Sequence, residues 1–163
     1  MKPALLIIDL QEGFSGGPNE PFFASAAETV NGALELFRAK KLPIVWIHQL
    51  SEKQGLAPGE PKFEMYSRLN RESDGFTVHK RFSNSFRETE LGEILKSEGA
   101  DTLVICGFKA QKCINETYCG ALDRGYSAVL LKGAIATDEA EAIRIVERSC
   151  DSVPLRFLQK VLE

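Results

Sequence analysis

The stretch Ala4-Leu5-Leu6-Ile7-Ile8-Asp9 decides the fold. Consecutive apolar residues with no alternation predict a short strand buried on both faces, and the run stops on a carboxylate. A strand covered on both faces requires helices above and below it, and the chain supplies them. Gly13, Gly16, Gly17 and Pro18 mark a loop. Phe23, Ala26, Ala27, Val30, Leu34 and Phe37 then recur at helical spacing, with Pro21 near the first turn. Pro43 to Ile47 reads as a second buried strand, Phe76 to Lys80 as a third, Thr102 to Cys106 as a fourth closed by Gly107, and Ser127 to Leu131 as a fifth. Val153 to Phe157 is the sixth candidate, and Pro154 confines it to an edge.

The intervening helices have their own signals. Ser85-x-x-Glu88 has the form of a capping box ahead of Leu91, Ile94 and Leu95. Lys112 to Arg124 places Ile114, Thr117, Tyr118, Ala121 and Leu122 on one face, and Gly125 is positioned to end it. Asp138-x-x-Glu141 opens a helix carrying Ala142, Ile143, Ile145, Val146 and Cys150, and a short helix closes the chain. Strands alternating with helices mean βαβ units. The expectation is a single α/β domain over residues 1–163, a three-layer α-β-α arrangement around six mostly parallel strands. The polar stretch from His48 to Gly75 has no clear period, and a loop of that length is read as a lid or an oligomer contact.

Composition narrows the function. With 163 residues, 44% hydrophobic and 26% charged, the chain can bury a core without metal or disulfide staples. A net charge of −3 without a basic stripe argues against nucleic acid, and no segment approaches a membrane span. The start, Met1-Lys2-Pro3, runs directly into a strand, so no signal peptide is read. Cys106, Cys113, Cys119 and Cys150 match no zinc spacing, and His48 and His79 are the only histidines, each read as structural. A reducing, cytoplasmic setting follows.

In parallel sheets of this kind, ligands bind beyond the carboxyl ends of the strands, near the point where strand order reverses. Asp9 ends the first strand, Lys80 the third, and the Gly107 to Cys113 segment follows the fourth. Each has a plain alternative: Asp9 a solvated loop residue, Lys80 a surface lysine, Cys113 a packed helix residue. Together they form a coherent set. A cation and a helix N-terminus lower a thiol pKa, a carboxylate can accept the thiol proton, and a glycine-led turn can aim N–H groups at an oxyanion. Lys80 has to reach about 10 Å, two strand spacings, if its strand lies at the edge. No G-x-G-x-x-G, P-loop or G-x-S-x-G elbow is present.

Ile7-Ile8-Asp9-Leu10-Gln11-x-x-Phe14, Lys80-x-x-Ser83-x-Ser85-Phe86-x-x-Thr89-x-Leu91 and Gly107-x5-Cys113-x3-Thr117-x3-Ala121-x3-Gly125-Tyr126 occur in that order. The set resembles the isochorismatase-like cysteine hydrolase superfamily. The resemblance implies a six-stranded parallel sheet, a catalytic Asp9-Lys80-Cys113 triad, a cis peptide between Phe108 and Lys109, and an oxyanion hole from the N–H groups of Lys109 and Cys113. It implies hydrolysis of a C–N bond in a small amide or carbamoyl compound through a thioester; Cys113 argues against the vinyl-ether branch of the family. Ala110 and Gln111 replace a common threonine and aspartate, and Lys109 is large for its position. Gln49-Leu50-Ser51 stands where the metal-binding branch has Asp-x-His, so neither metal nor other cofactor is expected. Phe14, Trp46, Phe82 and Phe86 are the candidate walls of a small-molecule pocket, with plain core as the alternative for Trp46 and Phe86. Relatives suggest a homo-oligomer. Two rival readings stay open: the same fold with a degenerate site that binds or assembles, and thiol redox chemistry between Cys106 and Cys113.

Overall fold

The computed structural model describes all residues, Met1–Glu163. Its strands are β1 (Pro3–Ile8), β2 (Ile44–Gln49), β3 (Phe76–Lys80), β4 (Thr102–Phe108), β5 (Ser127–Ala136) and β6 (Ser152–Pro154). Its helices are α1 (Glu20–Ala39), α2 (Leu91–Ser97), α3 (Asn115–Asp123), α4 (Ala140–Ser149) and α5 (Leu155–Val161). The strands form one sheet in the order β3-β2-β1-β4-β5-β6, and every neighbouring pair is parallel. The sequence reading allowed for a mixed sheet; the sheet is parallel throughout.

Alternation along the strands builds two cores. Leu6, Ile8, Val45, Ile47, Leu103 and Ile105 face α2, α3 and α4 through Leu91, Leu95, Tyr118 and Val146, with Ile114 just ahead of α3 in the same cluster. Leu5, Ile7, Ile44, Trp46, Val104 and Cys106 face the α1 stripe of Phe23, Ala26, Val30, Leu34 and Phe37, together with Leu158 of α5. Both faces of β1 are therefore consumed by packing, which is why its sequence shows no polar alternation. The order of strands reverses between β1 and β4. Both of these strands end at the same edge, so the segments leaving Ile8 and Phe108 open a crevice.

Several local expectations are corrected. Ser85 and Glu88 form no capping box, because α2 begins later, at Leu91. Buried Ser85 instead bonds Thr117 of α3 through its N–H (3.0 Å) and Oγ (2.9 Å), and Glu88 takes a left-handed turn. The helix expected from Lys112 opens earlier, with a π-type turn over Ala110–Ile114, before regular α3. Strand β5 runs past Leu131: Gly133, at φ +82°, lets it bulge opposite β4 and continue to Ala136. The final strand is only Ser152–Pro154, at the edge, and Leu155 already begins α5. Between residues 48 and 75 the chain packs closely. It makes two 3₁₀ turns, buries Leu56, Phe63, Met65, Tyr66 and Leu69, and bridges Met65 to Gln11. No helix is long and apolar enough to cross a membrane.

Candidate active site

Each element delivers one chemical group to the crevice. Asp9 leaves β1 at φ +53°, in the left-handed region that aspartate tolerates better than most residues. That turn lays its carboxylate across the sheet's end, where it is 1% exposed. Gly107 makes the adjoining wall possible. It sits at φ +126°, and a Cβ there would lie 2.0 Å from the Ile8 carbonyl oxygen, so only glycine fits between β4 and β1. The Phe108–Lys109 peptide is cis. The π-type turn, closed by a hydrogen bond from the Ile114 N–H to the Lys109 carbonyl (3.2 Å), then turns Cys113 toward Asp9.

Lys80 spans the distance from the edge strand. Gln49 of β2 is its register partner on the neighbouring strand, and the lysine side chain crosses over that end of β2. Its Nζ lies 2.9 Å from Asp9 Oδ2, with side-chain exposures of 0% and 2%. It also donates to Gln49 Oε1 (2.6 Å), to the Phe82 carbonyl (3.1 Å) and to Cys113 Sγ (3.4 Å). Asp9 Oδ1 is buried with no hydrogen-bond partner.

Burial raises the Asp9 carboxyl above its ordinary value, and the Lys80 charge opposes that shift. Burial, followed by the Asp9 charge, pushes the Cys113 thiol up to about 11, against the lowering by Lys80. The expectation of a thiol lowered by its cation and helix terminus is therefore corrected. Desolvation and the carboxylate outweigh the Lys80 cation, and Cys113 rests as S–H beside Asp9.

These groups lie at a cavity of about 580 Å³ whose lining includes Asp9, Phe14, Gln49, Phe108, Lys109 and Cys113. Of the four aromatic walls proposed from sequence, Phe14 is in place, packed on Phe108 with ring centroids 5.1 Å apart. The other three are corrected. Trp46 is fully buried in the α1-side core, and Phe86 is core packed on Tyr126. The Phe82 ring is covered by Arg87, whose guanidinium carbon is 3.7 Å from its centroid; Phe82 contributes its carbonyl. Cys106 is fully buried on the α1 side, with Sγ against the Leu6 carbonyl (3.3 Å), so it does not face Cys113 and the redox reading falls. His48 is buried, stacks on Phe63 at 4.8 Å and lies 3.1 Å from an Arg71 nitrogen, which gives it a structural place.

Sequence reading missed Gln49 as a partner of Lys80. Its signal was its place at the end of β2, at the functional edge, but it registered only as a missing metal motif. No group of three or more His, Cys, Asp or Glu side chains is placed to hold a metal ion.

Residues 3–145 match the model of the isochorismatase domain. The chain belongs to the isochorismatase family. This isochorismatase-family chain is 31% identical over 158 residues to the family protein YecD of Escherichia coli O157:H7, covering 85% of this chain and 81% of that one. It is 23% identical over 154 residues to the maleamate amidohydrolase of Pseudomonas putida, covering 82% and 72%. An isochorismatase-like hydrolase from Alkaliphilus metalliredigens superposes along the full length of both chains, with a TM-score of 0.91 at 23% identity. The family is one of hydrolases, and the crevice between β1 and β4 is where this member brings Asp9, Lys80 and Cys113 together.

Proposed function

We propose that the protein is a cysteine hydrolase that cleaves the C–N bond of a small amide or carbamoyl compound, with Cys113 as nucleophile, Asp9 as proton carrier and Lys80 as the cation that holds both. One observation carries this reading: a single buried ammonium group, Lys80 Nζ, lies within 2.9 Å of a carboxylate and 3.4 Å of a thiol at a cavity. The amidohydrolase among the relatives supports the choice of bond.

The resting protonation states set the steps. The thiol, held up at about 11, stays protonated near neutral pH. As Sγ attacks the carbonyl carbon, its proton passes to Asp9, whose burial raises its proton affinity. The carbonyl oxygen becomes an oxyanion, taken up by the backbone N–H groups of Lys109 and Cys113. Collapse breaks the C–N bond, and the amine leaves with the proton from Asp9. Water then attacks the thioester, giving its proton to Asp9. The acid departs and the thiol is re-formed. Lys80 orients the carboxylate throughout and balances its charge.

The test is a panel of small primary amides and carbamoyl compounds assayed for ammonia release, with intact-mass detection of an acyl adduct on Cys113. Turnover that disappears in Cys113→Ala, together with an adduct equal in mass to substrate minus ammonia, supports the reading. Turnover that survives Cys113→Ala excludes it.

A further inference from the structure

Strand β5 does not stop where its apolar run does. The bulge at Gly133 carries it on to Ala136, which pairs with Phe108 of β4. Thr137 and Asp138 are thereby set beside the segment that leaves β4, and they grip its outer side. Asp138 gives each carboxylate oxygen to a different residue of that segment: Oδ2 pairs with Lys109 Nζ, and Oδ1 accepts from Gln111 Nε2 (2.9 Å). The Gln111 amide is closed at its other end, where Oε1 accepts from Thr137 Oγ1 (3.0 Å). Thr137 is fully buried, and its hydroxyl also accepts from the Glu139 N–H (3.1 Å). The Lys109 hydrogen bond holds the Asp138 carboxyl below its ordinary value, so both oxygens are acceptors near neutral pH.

The inner side of the turn is held differently. Ala110 and Ile114 are buried in the core with Ala142 and Val146 of α4, and Ile114 anchors the Cys113 end. The outer network is not a device for stability. Lys109 and Asp138 have side-chain exposures of 30% and 38%, and a pair so open to water adds little. What it fixes is the geometry of the Lys109 end.

We infer that Thr137 and Asp138 are positioning residues, which hold the Lys109 end of the turn so that its backbone N–H stays aligned on the oxyanion formed at Cys113. This rests on the hydrolase reading and adds to it a part that lies outside the reacting groups. Such donors are effective because they are fixed before the charge develops. A misplacement of about 1 Å can cost about 100-fold in rate.

Propionaldehyde tests this without a known substrate. On addition to Cys113 the Sγ–C bond forms, the carbonyl π pair moves to oxygen, and the thiol proton passes to Asp9. The oxygen of the adduct therefore stands where the oxyanion would. Alkylation by iodoacetamide, which joins Sγ to carbon and expels iodide, forms no such oxygen and is the control. Both are read by intact mass in a Cys119→Ser background, because Cys119 is exposed. Aldehyde affinity is read from the protection it gives against alkylation. The expected result is an aldehyde dissociation constant raised about tenfold or more in Asp138→Ala and in Thr137→Val, with alkylation rates within about twofold of wild type and Thr137→Ser close to wild type. On any amide the wild type turns over, the same two variants lower kcat about 10- to 100-fold and leave KM within about twofold. Aldehyde affinity unchanged in both variants overturns the inference, as does an equal loss in alkylation, or a wild type that binds no aldehyde. Amide turnover with an aldehyde affinity indifferent to both substitutions overturns it while leaving the hydrolase reading intact. Aldehyde affinity that follows the substitutions in a protein that turns over no amide keeps the inference and removes the hydrolase reading.

Discussion

Replacing Asp9 by Asn keeps the size of the side chain and removes its charge, leaving Lys80 buried without a counter-ion. The Lys80 side chain has 0% exposure, so water cannot substitute for the carboxylate. Breaking a buried pair from one side costs about 3–5 kcal/mol. Lys80 keeps two neutral acceptors, Gln49 Oε1 at 2.6 Å and the Phe82 carbonyl at 3.1 Å, which places the loss near the lower end, about 3 kcal/mol. The companion Lys80→Met leaves a buried carboxylate and is expected to lose a similar amount. The double variant Asp9→Asn/Lys80→Met removes both charges and should lose about 2 kcal/mol less than the sum of the singles. Urea unfolding followed by the fluorescence of Trp46, the one tryptophan and fully buried, reads this directly. With a slope of about 2 kcal/mol/M, each single variant shifts the midpoint down by about 1.5 M. Single variants within about 0.5 M of wild type, or strict additivity in the double, would refute the claim that the pair is a buried, mutually dependent unit.

Other outcomes follow from the same geometry. In the pH profile of kcat/KM, the acid limb is set by Asp9, which must be ionised to take the thiol proton; since burial raises its pKa, activity falls as pH drops through a value above the ordinary 3.8, and a limb at or below 3.8 contradicts the assignment. Gly107→Ala drives a Cβ into the Ile8 carbonyl at a left-handed φ and is expected to cost more than about 3 kcal/mol by the same urea assay. Burial first, then the Arg71 charge, lowers His48 from 6.5 to about 3. The folded state therefore excludes a proton that the unfolded chain binds, so stability is full above pH 6.5 and declines as pH falls toward 3. At pH 5 the loss is about 2 kcal/mol, and His48→Phe should flatten that part of the stability curve.

The sheet was legible because two-sided burial leaves a plain mark: the runs at Ala4–Ile8 and Thr102–Cys106 have no polar alternation. Once β1 and β4 were placed, the crevice rule located Asp9 and Cys113, and Lys80 followed from the end of β3. What escaped was whatever depends on how side chains meet across elements. Trp46 and Phe86 carry the same aromatic signal whether they line a cavity or fill a core, and only the facing of β2 and the Tyr126 stack decide for the core. Ser85 has the sequence of a cap, but its hydroxyl finds Thr117, distant in the chain. Asp138 likewise reads as a helix opener, while its carboxylate is taken by Lys109 and Gln111. The elevated thiol pKa was illegible for the same reason: nearby cations can be counted in a sequence, whereas desolvation depends on the three-dimensional surroundings.

The most direct test of the coupled site is the alkylation rate of Cys113 as a function of pH, measured in a Cys119→Ser background, since Cys119 is exposed while Cys106 and Cys150 are buried. The account predicts a thiol that titrates near 11, moves down in Asp9→Asn as the carboxylate charge is lost, and moves up in Lys80→Met as the cation is lost. A thiol titrating near the free value of about 8.5, indifferent to both substitutions, would contradict it.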